Sequence, residues 1–154
     1  HCTSLYHKGI PFTLLLPQGA VRMRSVYDSQ IRYILPNLPF SFSRKGFFKI
    51  PLLWRACNII PPPGSIIHSL VDFPYALLGM RLARRYGLPH IAHMIGTYSV
   101  LPFYHFPDSY FMRRLYQSAD TIISISQFTA AAAQKAAGHS REIMIMHPPV
   151  AQLL

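Results

Sequence analysis

Acidic residues are scarce in this chain: 5 Asp and Glu stand against 15 Lys and Arg in 154 residues, a formal charge of +10. Such a surface suits an anionic membrane, a phosphorylated substrate or nucleic acid, and it equally suits plain solvation. The basic residues come in small groups: Arg22 and Arg24, Arg44 and Lys45, Arg81, Arg84 and Arg85, and Arg113 and Arg114. No long basic arm and no zinc-finger or RNP-type string accompanies them, which argues against nucleic acid. Cysteine is also rare. Cys2 and Cys57 are too few for a disulfide framework. They could pair, but two free thiols in a reducing compartment are the expectation. No apolar run approaches the roughly 18 residues that a membrane-spanning helix needs; Phe12 to Leu16 and Ile122-Ile123 are typical of what is present. A secretory hydrophobic region is missing from the N-terminus. The 8 His form no HExxH or other paired metal spacing, and no CxxC, GxSxG elbow or phosphate-binding P-loop occurs. No metal and no cofactor are expected.

What is present is core material. Half the residues (51%) are hydrophobic and the mean hydropathy is +0.21, which argues against a disordered chain. The length fits one domain. The chain starts at His1 rather than Met and ends on Ala151-Gln152-Leu153-Leu154 with no polar tail, so both ends are expected to be cut.

Short apolar runs alternate with helical patterns, the signature of βα units and a mainly parallel sheet. Strands are predicted at 11–16, 31–35, 66–69, 91–95, 121–125 and 142–146, rich in the Ile, Leu and Met of buried parallel strands. A helix is predicted from Asp72 to Tyr86. Asp72 is placed as its N-cap, Pro74 in its first turn and Gly87 at its stop. Phe73, Ala76, Leu77, Met80 and Ala83 make its apolar face. A second helix spans Gln127 to Ala137, with Ser126 as N-cap and Gly138 as stop. A third covers Asp108 to Ser118, with Tyr110, Phe111, Leu115 and Tyr116 as its apolar side. Another is plausible around Phe47 to Cys57, before the Pro61-Pro62-Pro63-Gly64 linker. The fold class is thus α/β, doubly wound and Rossmann-like.

Function enters through four local strings in order. Ile66 to Gly79 reads I-I-H-S-L-V-D-F-P-Y-A-L-L-G. Arg85 to Pro89 and then Gly96-Thr97-Tyr98 flank a strand. Ala119 to Thr129 reads A-D-T-I-I-S-I-S-Q-F-T. Ile143 to Val150 reads I-M-I-M-H-P-P-V. Together they resemble the D-I-I-H-x-H-x-P-x-x-A-L, G-I-P…G-T, A-D-x-V-I-A-V-S-x-F-T and I-x-V-I-P-N-G-V stretches of glycosyltransferase family 4. Leu5 to Leu16 is more loosely similar to the end of that family's first helix and its second strand.

The resemblance implies the acceptor-side, N-terminal half of a GT-B fold, truncated at both ends and lacking its first strand. A donor-binding domain would follow Leu154. In a sheet of order 3-2-1-4-5 the missing strand is central. Strands 11–16 and 66–69 would then face each other across an empty slot or pair directly, and poor stability is expected. The implied activity is retaining transfer of a sugar from a nucleotide-sugar donor to an acceptor hydroxyl of a sugar or lipid. Residues 1–154 alone are expected to be inactive. The competing reading is a non-catalytic Rossmann-like module that binds a nucleotide or an anionic surface. The expected location is cytoplasmic, either free or peripheral at the inner face of the membrane.

Ligands of open α/β sheets gather beyond the C-terminal ends of the strands. That places the candidate site in the loops after Ser69, Ile95, Ile125 and Met146. Gly96, Thr97 and Tyr98 combine a permissive backbone with two hydroxyls; an ordinary turn is the plainer reading. Ser126 opens a helix whose free N–H groups suit a phosphate, although a simple cap is the favoured role. His68 with Asp72 could do acid–base work, yet a strand residue and a helix cap are preferred. The family usually places a His before Gly96, where this chain has Ile95. His93, one step deeper on the same strand face, is read as a packed core residue. The candidate substrate-binding residues are therefore Gly96, Thr97, Tyr98, Ser126 and Asp72. The stretch Phe103, Tyr104, His105 and Phe106 is read as a core-covering loop, with an acceptor lip or a membrane foot beside Arg113 and Arg114 as the sharper option.

Overall fold

A computed structural model describes residues 7–17, 31–35, 38, 51, 54, 58–70, 73–138 and 141–147. The chain falls into two compact units, residues 1–38 and 39–154. In the first, β1 (Leu14–Pro17) and β2 (Ile31–Leu35) pair in parallel, with a register shift between Leu14 and Leu15. Leu35 is buried.

The second unit is built on four parallel strands: β3 (Ile67–Ser69), β4 (His90–Met94), β5 (Thr121–Ser124) and β6 (Met144–Ile145), in that spatial order. The α/β class and parallel pairing read from the sequence hold. The hydrogen-bonded neighbour of β1 is β2, and that of β3 is β4.

Helix α1 (Ala76–Tyr86) connects β3 to β4. It starts later than the sequence suggests. Pro74 precedes its first turn rather than sitting in it, and Tyr75 occupies the N-cap position with no side-chain bond. The helical region is disfavoured for a residue before proline, and Phe73 stays outside the helix. Asp72, predicted as the cap, lies outside the described residues. Burial is also wider than the predicted stripe: every residue from Ala76 to Met80 is buried, with Leu82 and Ala83. Gly87 ends the helix in the left-handed region at φ 63°, as predicted, and the Leu88 N–H returns to the Ala83 carbonyl.

After β4 come a one-turn helix α2 (Thr97–Val100), a 3-10 turn (Leu101–Tyr104) and α3 (Asp108–Ser118); α4 (Gln127–Ala137) follows β5. The bounds of α3 and α4 match the sequence reading. The buried face of α3 matches at Leu115 and Tyr116 but differs elsewhere. Asp108, Met112, Leu115 and Tyr116 turn inward, whereas Tyr110 is 52% exposed. Phe103 from the 3-10 turn supplies the aromatic partner in the core. It meets Tyr116 edge to face at 5.9 Å. The helix expected around Phe47 to Cys57 lies mostly outside the described residues; Pro51 and Trp54 are helical.

Two arginines hold the lower ends of helices. Arg113 donates to the carbonyls of Ala136 and Ala137 at the end of α4. Arg141 donates to those of Tyr116 and Ala119 at the end of α3. Each places a cation on carbonyls that lack helical partners, at the negative end of the helix dipole.

Candidate functional site at the strand tips

Register decides which loops meet. Met94 lies opposite Ser124, and Ser124 opposite Ile145, in parallel pairs. Gly96 and Ser126 each lie two residues beyond that aligned row. The Ile125 N–H donates to the Met94 carbonyl at 3.3 Å, and the Met146 N–H to the Ser124 carbonyl at 2.8 Å. The loops after β4, β5 and β6 therefore open at one edge of the sheet, the edge where open α/β sheets collect ligands.

Gly96 has φ 139° and ψ −142°, a conformation reached almost only by glycine. A Cβ there would meet no atom within 4 Å, so the constraint is backbone geometry rather than crowding. Ser99, fully buried, holds the bend: its Oγ accepts the N–H of Ile95 at 2.8 Å and that of Gly96 at 3.3 Å. The sequence reading missed Ser99. Its only signal was a serine three residues after a glycine at a strand exit, a pattern shared with many turns. Thr97 and Tyr98, in α2, are exposed at this edge.

Ser126 is the N-cap of α4. Its Oγ accepts the Thr129 N–H at 3.1 Å and bonds the Thr129 hydroxyl at 3.1 Å. Ser124 braces the same corner by donating its hydroxyl to the Ser126 carbonyl at 2.9 Å. The capping role favoured from sequence is thus observed. Phe128 in the first turn of α4 is 83% exposed.

Histidine placement differs from expectation. His93 is not a packed core residue. It is half-buried, and its Nε2 lies 2.7 Å from the Nε2 of exposed His68, with one ring donating to the other. The structure thus joins His68 to His93, on the adjacent strand; Asp72 lies outside the described residues. Burial and the neighbouring His68 bring the His93 pKa down to about 4, and partial desolvation of the His68 ring, one side of which faces His93, lowers that of His68 although much of the residue is exposed. On the opposite face of the sheet His90 is buried. Its Nε2 is 2.9 Å from the Ser69 Oγ, and its backbone N–H donates to Asp120 Oδ2 at 2.8 Å. Burial lowers its pKa to about 4, outweighing the opposing pull of Asp120.

The matching family profile is that of Glycosyltransferase Family 4, over residues 2–151. The chain belongs to glycosyltransferase family 4. No curated protein and no solved structure matches it. As a family 4 glycosyltransferase domain, the chain has a sugar donor and an acceptor as its general substrates. Of its five candidate residues, the fold brings Gly96, Thr97, Tyr98 and Ser126 to one edge. An open cavity of about 350 Å³ lies at the other edge, between the end of α1 (Ala83, Arg84, Gly87) and the starts of β4 and β5 (His90, Asp120). Position on the parallel sheet is the better guide to the site than cavity size, because it is the strand tips that offer diverging loops and free helix N-termini. Among the described residues, no helix is long and apolar enough to cross a membrane.

Proposed function

We propose that this domain forms the acceptor-side wall of a retaining glycosyltransferase, one that moves a sugar from a nucleotide-sugar to an acceptor hydroxyl. The observation that carries the reading is the alignment of Gly96 and Ser126 on neighbouring parallel strands, beside the exposed hydroxyls of Thr97 and Tyr98. On this reading a second domain grips the nucleotide, and the strand-tip loops close over the transferred sugar. Asp72, the fifth candidate residue, lies outside the described residues.

The acceptor is proposed to approach along the exposed aromatic side chains Tyr98, Tyr104, Phe106 and Phe128. A lipid-linked acceptor at an anionic, cytoplasmic membrane face fits that surface and the net positive charge. Arg113 is committed to the end of α4; Arg114, exposed and bonded to the Tyr110 hydroxyl at 2.9 Å, is the better candidate of that pair for lipid phosphate. No cofactor besides the donor enters this reading.

One observation favours the non-catalytic alternative: exposed Ile95 stands where the resemblance places a His. The test is sugar transfer or donor hydrolysis by the full-length protein, compared with Gly96→Trp and Ile95→His variants. Loss of turnover in Gly96→Trp supports the enzyme reading. Donor binding with no turnover in any form supports the binding module.

A further inference from the structure

His68 and His93 lie on adjacent parallel strands and share the sheet face opposite α1. His68 pairs in register with Ile91, two residues before His93 and on the same side. Hydrogen-bonded strands fix both Cα positions, so only the side chains have freedom. The two rings, with centroids 4.7 Å apart and planes at 45°, point Nε2 at Nε2 across 2.7 Å. The pair is open to solvent, with His68 exposed and His93 half-buried.

We propose that His68 and His93 bind a divalent transition-metal ion of the zinc class. Two bonds of about 2.0–2.1 Å at a tetrahedral angle need nitrogens roughly 3.3 Å apart. Opening the present gap by about 0.6 Å takes small side-chain rotations and no movement of the strands. The ring that now donates its Nε2 proton binds the ion by carrying that proton on Nδ1 instead. Two neutral imidazoles then ligate with no net proton released. Imidazole nitrogen selects zinc, nickel or copper and excludes magnesium and calcium, which take oxygen. Among the described residues no third His, Cys, Asp or Glu joins the pair. The proposed site therefore consists of the two imidazoles, with water or a ligand oxygen completing the shell. His93 sits on β4, the strand that leads to Gly96, and His68 on its neighbour β3, so the ion bridges two strands and is separate from the loop hydroxyls.

The test uses the unmodified chain first. Diethylpyrocarbonate labels accessible imidazoles, and peptide mass spectrometry resolves each one. Micromolar Zn²⁺ is expected to slow labelling of His68 and His93 together by at least tenfold, while exposed His105 keeps its rate. Equal labelling of both with and without Zn²⁺ overturns the proposal. Because 6 other His and 2 Cys are present, calorimetric titration of His68→Asn/His93→Asn is read as a difference. Loss of one Zn²⁺ equivalent supports the site, and unchanged stoichiometry and affinity overturn it.

Discussion

Gly79 of α1 lies so close to Ser69 of β3 that a Cβ on it would stand 2.2 Å from the Ser69 Oγ and 2.9 Å from the His90 Nε2. Both neighbours are joined to each other, so neither can simply turn away. In an exposed helix, Gly→Ala stabilises by roughly 0.5–1 kcal/mol. Here the sign should reverse. Gly79→Ala is expected to cost about 1–3 kcal/mol through overpacking, measured by urea denaturation. Ser69→Ala added to it should recover part of the loss. A more stable Gly79→Ala protein would show that helix and sheet are not in close contact.

Ser99→Ala removes the hydroxyl acceptor of two part-buried backbone N–H groups, those of Ile95 and Gly96. The expected loss is about 1–3 kcal/mol. Amide hydrogen exchange at those two positions should accelerate more than exchange in β5. Unchanged protection there would remove Ser99 as the clamp of the loop.

Acid should weaken the fold through His90. Its pKa falls from 6.5 in the unfolded chain to about 4 when folded, so the folded state prefers the neutral ring. Stability is then complete above pH 6.5 and declines as the pH drops from 6.5 towards 4. At roughly 1.4 kcal/mol per pH unit, the total is about 3 kcal/mol. His93 acts in the same direction. His90→Gln keeps a hydrogen-bonding group for Ser69 and should flatten part of the decline between pH 7 and 4.5. A wild-type curve that is already flat over that range would contradict the burial of a neutral His90.

Arginines should divide sharply. Arg141→Gln releases carbonyls at the end of α3, with an expected cost of about 1–3 kcal/mol for charge-assisted bonds. Arg84→Gln, exposed on α1, should stay within about 0.5 kcal/mol of wild type. Thermal melts of the two variants make the comparison. Equal shifts would mean that the charge of Arg141, rather than its contacts, sets the effect.

Local chemistry made much of the fold legible. Ser126 and Gly138 bracket α4 because a hydroxyl can reach the N–H three residues on, and a glycine can turn left-handed at the end. Gly87 closes α1 for the same reason. Strand positions followed from compact Ile-rich and Met-rich runs, and the order of the family strings carried the family itself. Start points were less readable where proline intervened, as at Pro74. The inward turn of Asp108 and the outward turn of Tyr110 could not be read from the apolar pattern of α3, since Phe103 and the neighbouring helices choose its face.

By itself the sequence determined the α/β class, the bounds of two helices and membership of the family, all of which rest on contacts between near neighbours in the chain. Tertiary structure alone decided that His68 meets His93, that Ser69 meets His90 across from Gly79, and that Gly96 and Ser126 share an edge. Those pairs are 10 to 30 residues apart in sequence. Their meeting depends on parallel register, which no single segment encodes.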